Sequence, residues 1–234
     1  MNKFPLPYPS QYDLRGESYT CYGSDFRDII TYNFNDQGYR NDFDFDLADT
    51  SPILAALGSS IATGHGLDLK DSFSSIVAKN YGKTLWNLGQ GCFRSSNQTI
   101  LEQVKFLVDS PLNIDYYVIQ FTHINRQGNK YNSYLELDQS VAVQNFENIL
   151  VELTEVLAGH KWCWILMDFS GAEFSDQVVD HPNKIVIDPD IIDHISVEGF
   201  ETLAPSTHAL KMLSLHPGPR WHQATADQII KFFS

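Results

Sequence analysis

Pro52-Ile53-Leu54-Ala55-Ala56-Leu57-Gly58-Ser59-Ser60 is the stretch whose reading decides the fold. Consecutive apolar residues with no polar alternation mark a strand buried on both faces, as in parallel sheets covered by helices. The run stops at glycine, and two serines lead into Ile61-Ala62-Thr63-Gly64-His65-Gly66. A parallel strand ending this way brings a serine hydroxyl to the carboxyl edge of its sheet, where open α/β folds bind ligands. The competing reading is a strand-to-helix turn in which a serine only caps the next helix, since serine is a preferred cap residue.

Outward from this strand the chain alternates regularly. Apolar or β-branched runs at 53–57, 84–88, 116–121, 162–167 and 184–187 predict strands, and segments with helical spacing at 72–80, 96–108, 141–158 and 222–233 predict helices. In the third of these helices Val143, Phe146, Ile149, Leu150, Leu153 and Leu157 recur at three- and four-residue steps, while Glu147, Asn148, Glu152 and Glu155 fall on the other side. Strands fed by crossover helices predict an α/β fold: a three-layer α/β/α sandwich around a five-stranded parallel, flavodoxin-like sheet. Residues 170–183 read as a loop. Residues 1–50, rich in Tyr, Asp, Asn and Pro with little periodicity, read as an arm or loop-rich cap packed on a main domain at 51–234. Within the arm, 35–40 predicts a turn and 42–45 a short edge strand.

The composition narrows the classes of partner. The 29 acidic side chains outnumber 16 basic ones, and a formal net charge of −13 repels nucleic-acid phosphates and anionic membranes. No window is long and apolar enough to span a bilayer. The start, Met1-Asn2-Lys3-Phe4-Pro5-Leu6-Pro7-Tyr8-Pro9, carries prolines where an export signal needs an apolar helical stretch, so a cytoplasmic location is the default expectation. Cys21, Cys92 and Cys163 are too scattered for a disulfide framework or a zinc site and read as free thiols. Asp42, Asp44, Asp46 and Asp49 lack the glycine and distal glutamate of a calcium loop and read as a solvated face. Neither a metal nor a cofactor is expected.

In the predicted topology Ser60 ends the first strand of the sheet, Gly89-Gln90-Gly91-Cys92 follows the second, and Thr122-His123-Ile124-Asn125-Arg126 follows the third. His216, in Leu215-His216-Pro217-Gly218-Pro219-Arg220-Trp221-His222, precedes the last helix. All four segments converge on one edge. Independent turns have no reason to carry polar groups at each of these ends, and the convergence lifts Ser60 above the helix-cap reading.

These blocks resemble those of the SGNH (GDSL-type) hydrolases over roughly residues 30 to 233. The family's Gly-Asp-Ser followed by G-x-G is matched by Gly58-Ser59-Ser60 and Gly64-His65-Gly66, and its Asn-Leu-Gly block by Asn87-Leu88-Gly89-Gln90-Gly91-Cys92, with Cys92 where the family has a glycine. The Gly-x-Asn-Asp block falls on 122–125 and puts Ile124 at the family's asparagine, so Asn125 fits with a shift of one residue. The Asp-x-x-His-Pro block is Leu213-Ser214-Leu215-His216-Pro217, with Leu213 at the triad acid.

The resemblance implies a serine esterase. Ser60 would be the nucleophile and His216 the base. The N–H groups of Ser60 and of Gly91 or Cys92, with the Asn125 side chain, would form the oxyanion hole. Asn125 equally reads as a residue bonding its own turn. Ser59, His65, Arg94, His123 and Arg126 are candidate substrate contacts; the arginines would clamp an anionic substrate or simply lie at the surface. His160, His181, His194 and His208 have no supporting context and read as surface residues.

The expected substrate is a small-molecule or carbohydrate ester, with carbohydrate O-acetyl groups first to be tested. Two alternatives stand beside it. The missing triad acid favours a catalytically weak or inactive SGNH-like module that binds glycans or serves a structural role in a larger assembly, and a thioesterase or lysophospholipase would need a wide apolar groove.

Overall fold

A computed structural model describes residues 16, 18–22, 29–90, 96–122, 124, 139–166, 180–187 and 217–234. Two strands, β1 (Ser18–Tyr22) and β2 (Ile29–Asn33), pair antiparallel from Ser18 opposite Asn33 to Tyr22 opposite Ile29. The main sheet is built from β3 (Ile53–Gly58), β4 (Thr84–Gly89), β5 (Ile114–Phe121), β6 (Lys161–Leu166) and β7 (Lys184–Ile185). Its order is β4-β3-β5-β6-β7, and every pairing is parallel. Four helices accompany it among the described residues: α1 (Phe73–Asn80), α2 (Asn97–Val108), α3 (Gln139–Val156) and α4 (Pro219–Phe233). This is the expected three-layer α/β/α sandwich.

Alternation along the strands explains the layers, because successive side chains leave a strand on opposite faces. Ile53, Ala55 and Leu57 of β3, Tyr117, Ile119 and Phe121 of β5, and Trp162 and Trp164 of β6 pack on the α2–α3 face. Leu54 and Ala56, Tyr116 and Val118, and Cys163 and Ile165 pack with α1 and α4 on the other. Both faces are covered, which is why β3 reads as an unbroken apolar run. The helix starts are encoded by serines: Ser72 accepts the Ser75 N–H at the head of α1, and Ser96 accepts the Thr99 N–H at the head of α2. No described helix is long and apolar enough to cross a membrane.

The arm differs from expectation. Residues 42–45 form no strand, because side-chain amides take the backbone groups that a ladder would use. Asn35 Nδ2 donates to the Phe43 carbonyl, and Gln37 both donates to the Phe45 carbonyl and accepts the Phe45 N–H. The aspartates bond locally as well: Asp44 accepts the Asp36 N–H and Asp46 the Ala48 N–H. Phe45 instead turns into the main core and stacks on Trp86, with ring centroids 4.4 Å apart. The hairpin β1–β2 was open to a sequence reading, since Tyr19-Thr20-Cys21-Tyr22 and Ile29-Ile30-Thr31-Tyr32 are β-formers flanking Gly23-Ser24-Asp25.

His181 is likewise no plain surface residue. It is half-buried against Trp162, and its Nδ1 accepts from Trp164 Nε1 at 3.2 Å and from the Asn183 N–H at 3.1 Å. Burial lowers its pKa below the ordinary histidine value.

Candidate active site

The strand order places the switch in winding direction at β3, whose following strand lies on one side and β5 on the other. Ligands bind open α/β sheets in the crevice beyond the carboxyl ends at such a point. The turn after β3 is wedged into that crevice by two glycines. Gly58 has φ 151°, and a Cβ there would lie 2.6 Å from the Gln120 carbonyl oxygen. A Cβ on Gly89, at the end of β4, would lie 2.4 Å from the Thr63 nitrogen. Only glycine lets the ends of β4 and β5 close on the turn from both sides.

The two serines are treated differently. The Ser59 N–H and hydroxyl both donate to Gln120 Oε1, at 2.9 and 2.7 Å, and the Gln120 amide nitrogen donates to the Phe121 carbonyl. Gln120 is fully buried, so the Ser59 hydroxyl is committed to β5. Ser60 follows, buried at the head of the crevice, its carbonyl accepting the His65 N–H at 3.0 Å. His65 is half-buried with its ring 5.7 Å from that of Tyr32.

The neighbouring strand ends are anchored by amides that the sequence reading passed over. Asn97, at the first turn of α2, accepts the Thr122 N–H at 3.0 Å and donates to the Thr122 carbonyl at 3.4 Å, which fixes the chain where it leaves β5. Asn41 of the arm pairs in the same two-pronged way with the backbone of Asn87 in β4. Tyr39 accepts from Gln90 and Gln103, and burial pushes its pKa up to about 12, so it stays a neutral phenol. Arg40, also buried, donates to the carbonyls of Thr63, Gly64 and Leu67 in the turn after Ser60. No periodicity or motif signals any of these residues; Asn97, Asn41 and Arg40 work on backbone groups that every sequence carries, and Tyr39 works on two buried side-chain amides.

His216, Asn125, Gly91, Cys92, Arg94, His123 and Arg126 lie outside the described residues. The segment that follows His216 is placed: α4 starts on Gly218 and Pro219, and His222 is fully buried. Its Nδ1 accepts the Phe73 N–H at 3.1 Å, and its ring stacks on Phe73 at 5.6 Å. His222 therefore pins α4 to the head of α1, the helix that follows the Ser60 turn. Among the described residues no group of three His, Cys, Asp or Glu could hold a metal ion.

The fold defines a doubly wound α/β protein with a serine turn at the switch point. Solved structures aligned with it include SGNH and GDSL proteins. A carbohydrate esterase family 2 enzyme with a carbohydrate binding domain, from Corynascus thermopiles (Myceliophthora fergusii), aligns at 10% identity over 80% of this chain and 67% of its own, with a TM-score of 0.47. A member of the lipolytic protein G-D-S-L family from Veillonella parvula aligns at 12% identity over 77% and 97%, with a TM-score of 0.45. An SGNH-hydrolase family esterase aligns at 20% identity over 56% and 65%, with a TM-score of 0.35. At identities and scores this low the alignments assign no chemistry to the chain. No family model and no curated protein matches it.

Proposed function

We propose that the protein is a serine ester hydrolase acting on an acyl ester, with carbohydrate O-acetyl groups as the first substrate class to test. The observation that carries this reading is the placement of Ser60 at the switch-point crevice, one residue beyond a serine whose hydroxyl is already held by Gln120. Ser60 Oγ attacks the acyl carbon while His216 takes its proton, and the tetrahedral oxyanion is held by the N–H groups of Ser60 and of Gly91 or Cys92, with Asn125 in support. His216 returns the proton to the leaving alcohol, and water, deprotonated by the same histidine, releases the acid from the acyl-enzyme. His65, His123, Arg94 and Arg126 contact the substrate, and Ser59 serves by fixing the turn on β5.

A fluorophosphonate probe followed by peptide mapping tests the assignment. A single adduct on Ser60 is expected. An adduct on Ser59 alone, or none on the folded protein, overturns it.

A further inference from the structure

The turn that carries Ser60 is rich in glycine and bears three carbonyls, those of Thr63, Gly64 and Leu67, that converge on a single guanidinium from the arm. We infer that Arg40 is a positioning residue for the nucleophile: it sets the pose of Ser60 through two peptide units that it holds by their oxygens. The inference rests on reading Ser60 as the nucleophile.

The geometry is a pair of bridges. The peptide joining Gly64 to His65 gives its oxygen to Arg40 Nη1 and its N–H to the Ser60 carbonyl at 3.0 Å. The peptide joining Thr63 to Gly64 gives its oxygen to the same nitrogen at 3.2 Å and its N–H to the Ile61 carbonyl at 2.9 Å. A cation at the oxygen end polarises a peptide and strengthens the bond its N–H donates, so the charge of Arg40 is felt one hydrogen bond away from Ser60. Arg40 Nη2 takes the Leu67 carbonyl and ties down the far end of the turn.

Arg40 is held in turn by Tyr32. The guanidinium carbon sits 3.9 Å from the centroid of the Tyr32 ring, and the Tyr32 hydroxyl accepts the Gly66 N–H. Tyr32 is fully buried and Arg40 is 1% exposed, so neither has room to adopt a second pose without disturbing the turn. Arginine suits the task because its planar fork reaches three oxygens in fixed directions; a lysine ammonium is a point charge on a flexible stem and cannot span them.

The test compares the wild-type protein with Arg40→Lys and Tyr32→Phe. Three quantities are read per folded molecule: the rate of Ser60 modification by a fluorophosphonate, kcat and KM on a small aryl acetate, and hydrogen exchange at the Gly64, His65 and Gly66 amides. Arg40→Lys is expected to slow Ser60 modification about 10- to 100-fold, the scale on which misplaced reacting groups lose rate, and to lower kcat while KM stays within about twofold. His65 exchange should speed up in Arg40→Lys, and exchange in β5 should not. Tyr32→Phe removes one hydroxyl and leaves the ring under the guanidinium, so it carries the test should Arg40→Lys not fold; it is expected to act in the same direction by about threefold.

Two folded variants that react at Ser60 as fast as the wild type overturn the positioning role and leave the nucleophile reading standing. A wild-type protein that does not react at Ser60 overturns the nucleophile reading, and the role of Arg40 in catalysis with it. Unchanged His65 exchange in Arg40→Lys removes the bridge itself.

Discussion

The two edges of the main sheet solve the same problem, reversing a chain, by different means. At the amino edge the turns close on themselves. Gly82 and Gly159, with φ of 62° and 86°, face open space where a Cβ would stand. A half-buried Lys83–Asp115 ion pair lies beside a cleft of about 400 Å³ that His160 and Lys161 also line. At the carboxyl edge the described strand exits are held by side chains from elsewhere in the chain. Gln120 holds Ser59, Asn97 holds Thr122, Asn41 holds Asn87, and Arg40 holds residues 63–67. Local turn chemistry suffices where the backbone only has to reverse; the turn after β3 is instead held by buried polar groups brought from elsewhere in the chain, whose desolvation is offset by the hydrogen bonds they make.

The largest expected difference between the edges is catalytic. If Ser60 is the nucleophile as proposed, Ser60→Ala should lower activity on a small aryl acetate by at least about 10³-fold, the scale of losses at established serine nucleophiles, with the circular dichroism spectrum unchanged. Ser59→Ala should retain fluorophosphonate labelling. His216→Ala should remove most activity and, in the wild type, activity should fall at low pH through an imidazole-type ionisation. His222→Ala should instead lower the thermal midpoint, since it strips a buried hydrogen bond and a stacked ring, while keeping most activity per folded molecule. Equal losses in the two histidine variants would assign the base wrongly.

Next in size is backbone strain. Gly58→Ala drives a methyl into the Gln120 backbone at an unfavourable φ and should destabilise by roughly 2–4 kcal/mol in urea titration. Gly82→Ala and Gly159→Ala, with open space around them, should cost only about 1 kcal/mol. Comparable costs at the two edges would remove the contrast.

The smallest effects separate buried from half-buried polar contacts. Gln120→Leu leaves the Ser59 N–H and hydroxyl without their acceptor and should cost about 1–3 kcal/mol. Lys83→Met breaks a pair partly open to solvent and should cost about 1 kcal/mol or less, measured in the same titration.

Legibility follows the same divide. The sheet was readable because burial on both faces writes an apolar run into β3, and because Ser72 and Ser96 announce α1 and α2 within a residue of where they start. The serine turn was readable because the apolar run stops at Gly58, although Ser60 lies two residues beyond the end of β3 and not on it. Arg40, Asn41, Asn97 and Gln120 were not. Their partners are backbone carbonyls and amides or a neighbouring hydroxyl, and an amide at a strand end looks the same in sequence whether it faces water or clamps a turn. The arm misled for a related reason: Phe43 and Phe45 alternate with aspartates like a strand edge, and the competition from Asn35 and Gln37 side chains leaves no trace in the pattern.

The stacking of Phe45 on Trp86 and the reach of Arg40 make residues 40–45 and the main sheet a single packed unit. A chimera that keeps residues 51–234 and replaces 35–47 with an unrelated segment would retain the Gly58-Ser59-Ser60 turn and the strands around it, yet it would have an empty slot over Trp86 and a serine turn stripped of its cation. Substitutions at Phe45 and Trp86, or at Arg40 and the turn it holds, should therefore be coupled and not additive.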